Sequence, residues 1–317
     1  MKFGLHFGSR GVAGEPDSLK AIAQKAEALG YEHFGMSDHV IVATEVDRAY
    51  PYSASGKFFA QDTGVSLEQV TALSFVAAVT SKIRLLTSVL VLPHRHPVLA
   101  AKMLATVDVL SKGRLTAGVG VGWMREEFEA LNITDFDARG RVTDEYIQVM
   151  KELWTKGRAS FHGEFIDFTD AAADPKPVQQ PHPPIWIGGE SMPAIRRTAA
   201  LGDTWYPFGS NPKFRMDTSE TFVARRDKLF AEAERLDRDP TSIGLAYNCA
   251  FHNEEAQTHI DGGRLLFTGS PEERAEDIAQ LEAAGVSTMI VNVTSNDVTH
   301  MLERVERFSS DVMALLD

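Results

Sequence analysis

The strongest constraint on this chain is a rhythm. Short apolar segments of β character alternate with helical segments eight times along 317 residues. The pattern predicts strands over 2–8, 33–41, 83–92, 114–121, 184–188, 204–207, 243–251 and 288–293. Helices are expected over 18–29, 67–80, 98–110, 125–131, 139–154, 193–201, 218–236, 270–284 and 298–316. Gly30, Gly113 and Gly285 stand just past three of these helices, and Pro271 stands in the first turn of another, as helix ends favour. The strands are apolar on both faces, as strands of a parallel sheet are. Eight such units predict an α/β fold of the TIM (β/α)8 barrel type, because an open doubly wound sheet rarely uses eight. No linker or change of composition divides the chain, so residues 1–317 are expected to be one domain with loop insertions. Two stretches break the rhythm. Residues 44–65, with Tyr50-Pro-Tyr-Ser-Ala-Ser-Gly, read as a long loop, and 155–184 read as a polar, Pro-rich segment with a small hairpin around His162.

Charge and cysteine content narrow the partners. A net charge of −12 argues against nucleic acid or an anionic membrane surface. An anionic cofactor would therefore need local groups to hold it. Cys249 is the single cysteine, so no intrachain disulfide forms and a reducing compartment suits the chain. With no signal-peptide pattern and no apolar run of membrane-spanning length, the expected location is the cytoplasm.

In a barrel the carboxyl ends of the strands build the site. Here they offer His6; Asp38 and His39; Ser88, Val89 and His94; Gly120, Gly122 and Trp123; Gly188, Gly189 and Ser191; Trp205 and Tyr206; Asn248 and Cys249; Asn292 and Thr294. This set is rich in glycine, aromatic rings and histidine and poor in carboxylates, which suits a flat heteroaromatic ring better than a hydrolytic centre. Thr87 and Ser88 interrupt the third strand, where the strand bends or something flat lies against it. Gly118-Val-Gly-Val-Gly-Trp123 is a poor dinucleotide fingerprint, since Trp123 stands where the third glycine is needed; its glycines are read as letting a ligand approach the backbone. Gly188-Gly189-Glu190-Ser191 opens a helix and is read as a phosphate cradle, with Arg196 and Arg197 near enough to help. His39 is the candidate acid/base, with Asp38 beside it. His6, His39, His94 and His96 do not make the ligand set of a metal-dependent hydrolase, and no metal is expected. A Gly-x-Ser-x-Gly element is absent, and Cys249 has no evident base, which argues against nucleophilic hydrolysis.

Several stretches together resemble the luciferase-like monooxygenase superfamily of flavin- and deazaflavin-dependent barrels. They are Ser37-Asp-His-Val40, Val91-Leu-Pro-His-Arg-His-Pro-Val98, Ala105-Thr-Val-Asp-Val-Leu-Ser-Lys-Gly-Arg114, Gly118 to Phe128, Pro184-Ile-Trp-Ile-Gly-Gly189, and Leu201-Gly-Asp-Thr-Trp205. Tyr50-Pro-Tyr-Ser and Asp174-Pro-Lys-Pro-Val-Gln-Gln-Pro181 are similar to the coenzyme F420-dependent oxidoreductase branch. The resemblance implies a hydride transfer between that deazaflavin and a small organic substrate, or, alternatively, an FMN-dependent monooxygenase using reduced flavin and oxygen. It implies a non-proline cis peptide at Ser88–Val89 against the ring, and His39 near the reactive carbon. By the same resemblance Trp123 stands at the reacting centre, where related sugar-phosphate dehydrogenases place a glutamate. Asp38, Ser88, Val89, Gly120, Gly188, Gly189 and Ser191 are implied to line the cofactor. A homodimer is implied as well.

Overall fold

The computed structural model describes residues 1–7, 11–43, 46, 49–53, 55–58, 66–133, 135–249, 252–258 and 262–316. Much of the expected 44–65 loop, the end of the expected strand over 243–251 and parts of the loop after it lie outside these residues.

The chain begins with β1 (Lys2–Phe7), α1 (Pro16–Ala28) and β2 (His33–Met36). After α2 (Gln69–Val79) the third barrel strand comes in two pieces, β3 (Arg84–Thr87) and β4 (Leu90–Val91). Then follow α3 (Pro97–Leu110), β5 (Leu115–Gly120), α4 (Arg125–Leu131) and α5 (Arg139–Thr155). The antiparallel hairpin of β6 (Ala159–His162) and β7 (Asp167–Ala171) sits where the sequence placed it. Glu145 on α5 accepts from the amides of Glu164, Phe165 and Ile166 and so ties down its turn. The remaining units are β8 (Ile185–Gly188), α6 (Met192–Leu201), β9 (Thr204–Tyr206), α7 (Ser219–Arg235), β10 (Gly244–Cys249), α8 (Pro271–Ala283), β11 (Thr288–Asn292) and α9 (Val298–Arg307).

The barrel strands are all parallel. β1 pairs with β2 and β11, and the ladder runs from β11 through β10, β9 and β8 to β5. β5 closes the ring against both β3 and β4. With β3 and β4 counted as one interrupted strand, this is a closed eight-stranded barrel ringed by helices, as the alternation required.

Two predicted ends differ from the structure for identifiable reasons. The second strand stops at Met36, not Ile41, because the next residues are drawn out of the sheet. Arg95 and the Val91 amide engage the Asp38 carboxylate, and Glu127 accepts from the amides of Val40 and Ile41. The closing helix is regular only to Arg307; Phe308–Val312 make a wider π turn, with Phe308 and Val312 buried.

Two apolar layers hold the barrel. Outward-facing strand residues such as Leu5, Phe34, Leu85, Ile187 and Leu245 join the inner faces of the helices in one continuous core. Inside the barrel, Leu86, Trp186, Tyr206, Ala246 and Ile290 fill the lumen, and Val89 rests on them. Among the described residues, no helix is long and apolar enough to cross a membrane.

Candidate functional site

The break in the third strand is the first element of the site. Leu86 lies opposite Thr116 on β5, and Leu90 lies opposite Val119, so four steps along this strand face three along its neighbour. The extra residue is accommodated at Thr87–Val89, a β-bulge, and the Ser88–Val89 peptide is cis. The glycines of the surrounding strands make room for it. A Cβ on Gly118 would lie 2.1 Å from the Thr87 carbonyl oxygen, and one on Gly120 would lie 2.6 Å from Val89 Cγ2. A Cβ on Gly188 would sit 3.0 Å from Val89 Cγ1. The sequence reading gave these glycines to an approaching ligand. In the structure the space above Gly120 and Gly188 is taken by the bulge's own Val89, so any contribution they make to a ligand site passes through it. Thr87 Oγ1 donates to the Gly118 carbonyl and the Ser88 amide to the Met36 carbonyl, which pins both ends of the bulge.

Beneath the mouth lies a layer of polar side chains from four strands. His6 Nδ1 is 2.8 Å from Ser88 Oγ, and Ser88 Oγ is 2.8 Å from the Tyr206 hydroxyl. Asn248 Nδ2 donates to that hydroxyl at 2.7 Å. All four residues are buried. Burial pushes the His6 imidazole down to about 4, so it stays neutral at physiological pH, and pushes the Tyr206 phenol well up.

His39 stands at one side of the mouth with a partner the sequence did not reveal. Its Nδ1 is 2.9 Å from Glu127 Oε2, while Glu127 Oε1 accepts from the amides of Val40 at 2.7 Å and Ile41 at 3.3 Å. Glu127 is 1% exposed. Burial alone would raise its carboxyl pKa. The hydrogen bonds from His39 and the Val40 amide, and the pull of the His39 and His94 rings when protonated, more than offset this and hold it below the ordinary value. A carboxylate only accepts, so neutral His39 carries its hydrogen on Nδ1 and presents a lone pair at Nε2. His94 is buried against the same carboxylate, 3.7 Å from Oε1. Desolvation lowers its pKa. His96 is exposed and ends the turn before α3. Among the described residues, no three His, Cys, Asp or Glu side chains converge as metal ligands would.

Asp38, expected beside a cofactor, is buried in an ion pair. Arg95 grips both its oxygens, at 2.7 and 2.9 Å, and continues to Glu68 at 2.6 Å. The Asp38 carboxylate also fixes β4 by accepting from the Val91 amide at 2.9 Å. Trp123 belongs to an aromatic group with Tyr50, Phe58 and His39, with ring centroids 5.1, 5.2 and 6.5 Å from its own. Tyr52 and Phe208 extend this group toward His6. The described part of the long loop thus forms an aromatic wall of the mouth.

The turn after β8 is the candidate anion site. Gly189 has φ +110°, which only glycine adopts freely, and Ser191 caps α6 by accepting from the Ala194 amide. Glu190, in the middle of this turn, folds inward. Its carboxylate accepts from the Phe208 amide at 2.7 Å and from Asn211 Nδ2 at 2.8 Å, and burial pushes its pKa up to about 7. Arg196 and Arg197 are not free to help, being paired with Glu232 and Asp144. Arg225, reaching the Glu190 carbonyl from α7 at 3.5 Å, is a cation beside the turn that the sequence reading missed. Its half-buried place among the charged residues of α7 gives no pattern that would mark it.

The profile of the luciferase-like monooxygenase family matches residues 1–261. The chain belongs to this family. Among curated proteins it is 28% identical to the FMNH2-dependent dimethylsulfone monooxygenase of Pseudomonas putida, across 95% of this chain and 88% of that one. An uncharacterized protein of Mycobacterium tuberculosis is 34% identical across 82% of this chain and 89% of its own length. Among solved structures, an F420-dependent secondary alcohol dehydrogenase in complex with an F420–acetone adduct superposes with a TM-score of 0.76 at 17% identity. The match covers 100% of this chain and 99% of that one, and shows a shared fold.

Proposed function

We propose that the protein is an oxidoreductase that binds a tricyclic deazaflavin, coenzyme F420, over the Ser88–Val89 bulge and moves a hydride between it and a small organic substrate. When bound, that ring would supply the hydride-accepting and hydride-donating carbon; the protein supplies position, protons and exclusion of water. The observation that carries this reading is the pairing of a bulge presenting Val89 at the mouth with a fixed His39–Glu127 dyad beside it. Val89 offers a flat ring an apolar contact. His39 Nε2, held as a lone pair by Glu127, takes or returns the proton that accompanies a hydride at a substrate hydroxyl or carbonyl. Trp123 and Phe58 flank His39 and restrict water near it. Gly188, Gly189 and Ser191 would receive the cofactor's phosphate on backbone amides, with Arg225 as the nearby cation; the inward turn of Glu190 removes a carboxylate that would repel it.

A second reading keeps the barrel and changes the cofactor. The likeness to an FMNH2-dependent monooxygenase over 95% of the chain supports reduced FMN and oxygen at the same bulge. Titration with FMN and with coenzyme F420, followed by fluorescence quenching, separates the two. Tighter binding of the deazaflavin with hydride exchange supports the first; FMN-only binding with oxygen-dependent turnover supports the second and refutes the first.

A homodimer fits the surface. Phe75 on α2 and Val98, Leu99, Val109 and Leu110 on α3 are exposed apolar residues, and α2 and α3 pack side by side. Apolar residues on both the inner and outer faces of a helix pair are expected where a second copy covers the outer one.

A further inference from the structure

The polar layer under the mouth is absorbed by none of the roles above. It has a direction. Asn248 Nδ2 can only donate, so the Tyr206 oxygen accepts and its single hydrogen is free for Ser88 Oγ. The Ser88 hydrogen is then free for His6 Nδ1. An imidazole that accepts at Nδ1 while neutral carries its hydrogen on Nε2. Among the described residues, Nε2 has no hydrogen-bond partner, and the ring lies 6.4 Å from that of Phe208. Four side chains from four strands thus end in one N–H at the floor of the mouth, next to the bulge.

We infer that His6 Nε2–H is a fixed hydrogen-bond donor to a carbonyl-type oxygen of the molecule bound at the mouth. Asn248, Tyr206 and Ser88 act as positioning residues that set its tautomer. This inference rests on the proposed cofactor site for its ligand, but not for its polarity. The alignment of dipoles along the row strengthens the last donor, and burial keeps the imidazole from becoming a charged one. Such a donor favours ligands with an sp2 oxygen and disfavours the same shapes without it, because the N–H would then be buried unpaired. The oxygen has two chemical sources, a carbonyl of the cofactor ring or one of the substrate.

The test is nitrogen NMR of protein labelled with 15N-histidine, with His6 assigned by its loss in His6→Phe. The expected apo spectrum has a pyrrole-type Nε2 and a pyridine-type Nδ1 for His6, unchanged from pH 6 to 8. Tyr206→Phe keeps the ring and removes the middle hydroxyl; it should mix the tautomers. Addition of FMN or coenzyme F420 that shifts the Nε2–H signal assigns the oxygen to the cofactor. A shift that needs cyclohexanone in addition assigns it to the substrate. In the second case His6→Phe should weaken cyclohexanone binding by about tenfold while leaving the affinity for methylcyclohexane within about twofold. A pyrrole-type Nδ1, ordinary titration near neutral pH, or no response to cofactor and ketone would overturn the inference. Failure of both cofactors to bind would sink the proposed function, while the apo spectrum would still decide the polarity of the row.

Discussion

Glu127→Gln tests the geometry of the dyad most sharply, because it changes one oxygen to an amino group and little else. In the wild type Oε1 serves the amides of Val40 and Ile41, and Oε2 serves His39. The two amides must keep an acceptor, so the glutamine oxygen will face them and its NH2 will face His39 Nδ1. That nitrogen must then accept, and the hydrogen moves to Nε2, where the proposed proton transfer needs a lone pair. Turnover should fall by about 10²–10⁴, the range for loss of a general base or of its tautomer control. Stability should fall less. A charge-assisted hydrogen bond contributes ~1.5–3 kcal/mol and a neutral one ~1, so the loss is about 1–2 kcal/mol. Glu127→Ala, by contrast, strips His39 and two backbone amides of their buried acceptor and should cost on the order of 3–5 kcal/mol. The pH dependence has a definite sign. The Glu127 carboxyl is depressed in the folded state, so its contribution is complete above its ordinary value of 4.5 and is lost as pH falls through the lower folded value. Urea denaturation across pH 3–7 and steady-state turnover measure both effects. Turnover of Glu127→Gln within about threefold of wild type would remove His39 Nε2 as the base.

Other substitutions probe the rest of the account. Glu190→Gln removes a buried carboxyl raised from 4.5 to about 7, which stabilises the fold below 4.5 and loses that contribution as pH rises through 7. The variant should therefore gain up to about 3 kcal/mol on wild type between pH 5 and 8 in urea titrations; parallel pH profiles would refute the inward placement. Gly120→Ala puts a methyl into Val89 and should cost ~1–3 kcal/mol and weaken cofactor binding, read by thermal unfolding and fluorescence titration. Leu99→Glu with Leu110→Glu should convert a dimer to monomers in sedimentation velocity, with the barrel's circular dichroism unchanged.

The barrel was legible in the sequence because its signal is repeated eight times and each repeat is local: apolar strand, helix, glycine or proline at the joint. The interruption at Thr87–Ser88 was visible too, since small hydroxyl residues rarely sit in a buried strand. What could not be read were pairings across long sequence separations. Nothing around Glu127 in α4 announces that it closes over His39, 88 residues earlier. The Asp38–His39 pair suggested a carboxylate orienting its neighbour, but Arg95 claims Asp38, and Glu127 does the orienting. Arg196 and Arg197 misled in the same way, because a charge near a glycine turn says nothing about where its side chain finds a partner.

The central claim is that a tricyclic ring lies on the Ser88–Val89 bulge with His39 Nε2 beside it. A crystal structure of the protein soaked with coenzyme F420, and in parallel with FMN, tests this directly. The account predicts ring density in van der Waals contact with Val89, phosphate at Gly188–Ser191, and a reactive carbon open toward His39. A ring bound elsewhere, or a mouth that stays closed at saturating cofactor, would contradict it.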